Sequence, residues 1–98
     1  PLSSPWTIDL AANTAAVLSY GEPATREYIF WNSATAPVLL RFGVANPTVA
    51  GVFNVQIPAA RADGTRGRVR LTGDQAQGQI NAICSVAATI TAMRECNL

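Results

Sequence analysis

The residue types that usually carry chemistry are scarce in this chain, and the densest charge pattern is Arg66-Gly67-Arg68-Val69-Arg70-Leu71. In a strand, side chains alternate between the two faces. That spacing puts Arg66, Arg68 and Arg70 on one face and Val69 and Leu71 on the other. Three like charges in one row repel by a few tenths of a kcal/mol per neighbouring pair, roughly. Such a row suits either the wet outer face of an edge strand, where it discourages aggregation, or a stripe that docks on an acidic partner surface. Nucleic acid is disfavoured as that partner, because the formal net charge is only +1 and no aromatic residue interleaves the arginines. All seven basic residues are Arg and none is Lys. Arg recommends itself for contact surfaces through its planar fork and its stacking on aromatics, although codon bias in the genome gives the same composition without any selection on the protein.

Catalytic constellations are missing from the sequence. There is no His, the commonest general base and metal ligand near neutral pH. The serines have no His or Lys to activate them. The six carboxylates, Asp9, Glu22, Glu27, Asp63, Asp74 and Glu95, fall mostly in expected turns, where solvation is their ordinary role. Gly64-Thr65-Arg66-Gly67 is too short and too poor in glycine to cradle a phosphate. Two cysteines cannot complete a four-ligand zinc site alone. Cys84 sits in an apolar run and reads as a small buried hydrophobe, whereas Cys96 reads as an exposed thiol. A Cys84–Cys96 disulfide is open to the chain only if its tail folds back on the last strand. The residues therefore describe a non-enzymatic protein without metal or cofactor.

The elements that must position these residues are short and β-like. The 98 residues are enough for one small domain, 1–98, with 49% hydrophobic and 13% charged residues. This composition excludes a charged disordered tail, and no apolar run approaches the roughly 18 residues of a membrane span. The start has no basic and apolar secretory pattern, so a cytoplasmic origin or a processed secreted chain are both open. Pro1 to Pro5 reads as an extended arm, because two prolines keep it out of a central strand. Runs at 6–10, 15–20, 26–31, 37–42, 52–57 and 68–71 read as strands, bounded by Pro, Gly, Asn and Asp. Strands 26–31 and 37–42 read as a hairpin across Asn32-Ser33-Ala34-Thr35. Ile80 to Met93 has enough Ala for a helix, yet β-branched residues at 80, 83, 86, 89, 90 and 91 favour two strands with a turn near 85–88. The expected fold is an all-β antiparallel sandwich or jelly-roll-like barrel of seven or eight short strands.

Two aromatic features invite contact roles. In 26–31, Tyr28 and Phe30 point one way and Ile29 and Trp31 the other, so one pair fills the core and the other faces something else. That excess of apolar surface argues for a homodimer or homotrimer. Trp6 follows the N-terminal arm either as a core residue or as an anchor on a partner. Trp6 with Arg66, Arg68 and Arg70 thus forms the candidate partner-binding set.

The segment from Arg26 to Gly43, REYIFWNSATAPVLLRFG, resembles a recurrent pattern in small tailed-bacteriophage virion proteins. There an apolar strand ends in Asn with a small polar turn, a second strand ends in aromatic-Gly, and a final β hairpin resembles Ile80–Met93. The resemblance spans residues 13–94, and this chain departs from it where Arg66 to Arg70 replace a Gly-led polar loop. It implies a β-sandwich accessory protein of the virion, assembled in the host cytoplasm. Such a protein would be a capsid decoration or cement protein bound to the major capsid protein or another virion protein. A tail, fibre or surface-binding module recognising a receptor or glycan is the alternative.

Overall fold

The computed structural model describes residues 4–49 and 51–96. Most of the expected Pro1–Pro5 arm lies outside the described residues; Ser4 and Pro5 are exposed. Eight strands form in the order β1 (Trp6–Leu10), β2 (Ala16–Ser19), β3 (Thr25–Asn32), β4 (Val38–Phe42), β5 (Val55–Ile57), β6 (Gly67–Thr72), β7 (Ile80–Cys84) and β8 (Ala88–Cys96). One helical turn, α1 (Asp74–Gln77), replaces the polar loop expected at 75–78. It buries Ala76 completely, which gives that turn an apolar reason to close on the sandwich.

The strands make two antiparallel four-stranded sheets. The front sheet has the order β1-β8-β3-β6 and the back sheet β2-β7-β4-β5. Strand 1 pairs with 8, 2 with 7, 3 with 6 and 4 with 5, as if one long hairpin had been rolled up on itself. This is the jelly-roll form of the β-sandwich. Only β4 and β5 are consecutive in one sheet; every other connection crosses between sheets.

Two sequence expectations are corrected by this topology. Strands β3 and β4 are not a hairpin, because they lie in opposite sheets. Ile80–Met93 is indeed two strands with a turn at 85–87, but β7 and β8 form an arch between the sheets, again without pairing. The corner after β3 shows why. Asn32 is fully buried and its side chain works as part of the backbone network. Its Oδ1 accepts from the Ala34 N–H at 2.9 Å, and its Nδ2 donates to the Ala36 carbonyl at 2.9 Å and the Pro58 carbonyl at 3.1 Å. The bond to Pro58 ties the corner to the β5 end of the back sheet. Asn81 does the same for the opposite sheet face: it is fully buried and donates to the carbonyls of Gly43 and Ala45 at 3.2 and 2.9 Å.

Alternation sorts the core as the sequence suggests. Tyr28 and Phe30 are inside, stacked with centroids 5.2 Å apart, while Ile29 and Trp31 are half-buried on the outer face. Leu10, Val38, Leu40, Ile57, Leu71, Ile80 and Ile90 complete the buried interior. Gly67 opens β6 where nothing larger fits: a Cβ there would stand 1.6 Å from the Pro58 carbonyl oxygen. On the outer face of the back sheet, Leu39 and Ile83 stand opposite each other and are both buried. Cys84 and Cys96 are free thiols, Cys84 buried and Cys96 half-buried. Nine residues of extended β8 carry Cys96 away from the 85–87 turn, by about 3.3 Å per residue, far beyond disulfide reach of Cys84.

Candidate functional site: the outer face of the front sheet

Arg68 and Arg70 belong to β6, an edge strand, and their side chains point away from the core, as the period-two reading requires; Arg66 immediately precedes it. Strand β6 lies against β3, with Trp31 opposite Arg68 and Ile29 opposite Arg70. On the other side of β3, Thr91 stands opposite Trp31 and Met93 opposite Ile29. Thr7 of β1 is opposite Thr91, so one row, Thr7-Thr91-Trp31-Arg68, crosses all four strands. Next to it runs a row of Met93, Ile29 and Arg70. The centre of this solvent-facing sheet is therefore apolar, with Trp31, Ile29 and Met93 all half-buried.

The arginines are not equivalent. The Arg66 guanidinium lies 5.5 Å from the centroid of the Trp31 ring and donates to Thr91 Oγ1 at 3.2 Å. It roofs the indole in a cation–π contact. Arg70 holds Glu27 with two contacts, Nε to Oε1 at 2.6 Å and Nη2 to Oε2 at 3.0 Å. Glu27 is itself buried, so this pair supplies the partner that a dehydrated carboxylate needs. Arg68, exposed, makes no ion pair or side-chain hydrogen bond among the described residues. One arginine is stacked, one is committed to the fold, and one is available.

Trp6 does not join them. It faces inward from β1, half-buried against the core, with its ring edge-on to Tyr28 at 6.5 Å and 72°. The four residues singled out in the sequence thus divide between the two sides of one sheet. The aromatic residue that meets the arginines is Trp31. Its outward direction is readable from the Tyr28-Ile29-Phe30-Trp31 alternation, but its contact with Arg66 depends on the β3–β6 register, which links residues 35 apart.

A second polar group closes one end of the sandwich. Ser19 Oγ and Tyr28 Oη share a hydrogen bond at 3.0 Å, and Arg94 reaches the same region, 3.7 Å from Glu22. The hydrogen bond with the Tyr28 side chain raises the Arg94 pKa above its already high ordinary value, so this cation stays charged at any pH the fold meets. At the tip of the 61–65 turn, Asp63 titrates below the usual aspartate range because the Thr65 N–H donates to its carboxylate at 2.9 Å. No cavity opens among the described residues, and no three His, Cys, Asp or Glu side chains among them converge as metal ligands.

No protein-family model matches the chain, and no curated protein does. A solved structure of Bacillus endospore appendages, described as a novel family of disulfide-linked pili, aligns over 99% of this chain and 89% of its own. The two are 19% identical, with a TM-score of 0.45. That likeness assigns no role to any residue here.

Proposed function

We propose that this protein is a non-enzymatic structural component of a bacteriophage virion, a decoration or cement protein that docks on the shell through the outer face of its front sheet. The observation that carries the reading is the Trp31 centre: an indole half-buried on a solvent-facing sheet, roofed by Arg66, flanked by Ile29 and Met93, with Arg68 free beside it. A sheet face that meets only water is mostly polar, and a contiguous apolar centre such as this one marks a contact surface. Trp and Arg are the residue types that dominate binding hot spots, and a free arginine beside them orients an acidic partner surface. The rigid two-sheet platform beneath holds these side chains in fixed register. The sequence resemblance to phage accessory proteins supplies the partner class.

The test is rebinding of the purified chain to particles of its phage from which it has been stripped. Trp31→Ala is expected to weaken binding by roughly thirtyfold, the equivalent of about 2 kcal/mol at a hot spot. Arg68→Ser is expected to weaken it less and to flatten its dependence on salt. Absence of the chain from gradient-purified particles by mass spectrometry overturns the reading, as does full binding by both variants. Immunolabelling confined to the tail moves the protein to the fibre or receptor-binding class.

A further inference from the structure

Four strands edge the two sheets, and three of them carry features that block pairing with another chain. Strand β6 presents Arg68 and Arg70, with Arg66 just before it, so two copies edge to edge would set like charges together. Strand β2 has only four residues, and its register shifts between Val17 and Ser19. Strand β5 has three residues and stops at Pro58, whose carbonyl is packed against Gly67. Strand β1 is preceded by Pro5, but within its own bounds it has none of these. It is five residues in unbroken register with β8, holds no basic residue and no internal proline, and among the described residues no strand lies beside its outer edge. Along it Trp6 and Ile8 are only half-buried, although both face the core side.

We propose that β1 is a homotypic pairing edge, at which a second copy of this chain adds its own β1 antiparallel across a two-fold axis at Ile8. The sequence Trp6-Thr7-Ile8-Asp9-Leu10 is self-complementary in that register. Thr7 meets the partner's Asp9 on the outer face, and Trp6 meets the partner's Leu10 on the inner one. No like charges oppose each other. Asp9 already accepts one hydrogen bond, from Thr89 Oγ1 at 2.9 Å, and its other oxygen has no partner among the described residues. The pairing joins two front sheets into one eight-stranded sheet and covers the half-exposed flanks of Trp6 and Ile8. Both docking faces then lie on the same side of that sheet, so the dimer offers two Trp31 centres to one partner surface. The interface itself needs none of the Trp31 face, and it stands or falls independently of the virion reading.

The experiment is sedimentation equilibrium of the purified chain, with two variants on the exposed side of β1 and circular dichroism to check that each folds. Thr7→Lys sets a lysine against the partner's Asp9 and is expected to dimerise as tightly as the natural chain or more so. Thr7→Lys with Asp9→Lys sets lysines against lysines and is expected to weaken the dimer at least tenfold while leaving the β spectrum unchanged. A natural chain that stays monomeric up to its solubility limit overturns the proposal. So does a double variant that dimerises normally. Equal loss of the dimer in the single and double variants also overturns it, because a lysine would then block the edge whatever it faced.

Discussion

Glu27 and Arg70 illustrate how much a single side chain's surroundings decide. Each is charged and each lies on the outer face of the front sheet, yet Glu27 is buried while the Arg70 side chain is 61% exposed. The ion pair is therefore asymmetric: Arg70 has water as an alternative partner and Glu27 does not. With the Arg70 end of the pair in water, the attraction itself contributes little. Removing the arginine, however, leaves a dehydrated carboxylate with nothing to replace it. Arg70→Ser is expected to cost about 1–2 kcal/mol of stability, read as a lower urea midpoint. Arg68→Ser, with no partner to lose, is expected to stay within about 0.5 kcal/mol of the natural chain. The sequence shows the three arginines as one stripe. It does not show that one of them belongs to the fold, because Glu27 lies 43 residues away and meets Arg70 only through the β3–β6 register.

At the scale of elements, the corner where β3 ends decides the architecture. Asn32, Pro58 and Gly67 converge there, with Gly67 opposite Asn32 in the β3–β6 ladder. Asn32→Ala would leave the Ala34 N–H and the Ala36 and Pro58 carbonyls without their partner in a buried place, and a loss of about 3 kcal/mol is expected. Gly67→Ala would press a methyl group into the Pro58 carbonyl and is expected to cost a similar amount, about 3 kcal/mol. In a domain this small each kcal/mol lowers Tm by roughly 4–8 °C, so thermal melts separate both variants clearly from the natural chain. The same corner marks the limit of what the sequence discloses. Trp6–Leu10 is recognisable residue by residue from its alternation, and β3, β4 and β6 nearly so. Their sheet membership is not. Asn-Ser-Ala-Thr is ordinary hairpin chemistry when read locally, and only the Asn32 bond to Pro58, 26 residues on, turns it into a crossing between sheets. The 43–54 loop runs past the start of the strand expected at 52–57, which begins only at Val55. It holds no charge, and it is anchored by Asn81 and by Arg41, which donates to the Asn46 carbonyl at 3.2 Å, while Val44, Val49, Val52 and Phe53 remain exposed.

For the whole molecule, the rolled pairing of first strand with last and second with seventh makes nearly every ladder a long-range one. Only β4 and β5 form a ladder early in the chain's own order. Loop-closure entropy must be overcome before the other ladders return any stabilisation. Refolding from denaturant, followed by tryptophan fluorescence in a stopped-flow instrument, is therefore expected on a time scale of roughly milliseconds to seconds, as for other all-β folds, rather than in microseconds. The first and last strands being neighbours has a mechanical consequence too. Trp6, where β1 begins, lies beside Ala92, near the end of β8, so both strands leave the sheet in the same direction. Tension applied between the segments flanking them would open the β1–β8 ladder like a zipper, one pair of hydrogen bonds at a time, and not shear all of it at once. Load carried through the segments flanking β1 and β8 therefore meets the fold along its weakest direction. The strength of this fold lies across its sheet faces, where force spreads over many side chains together.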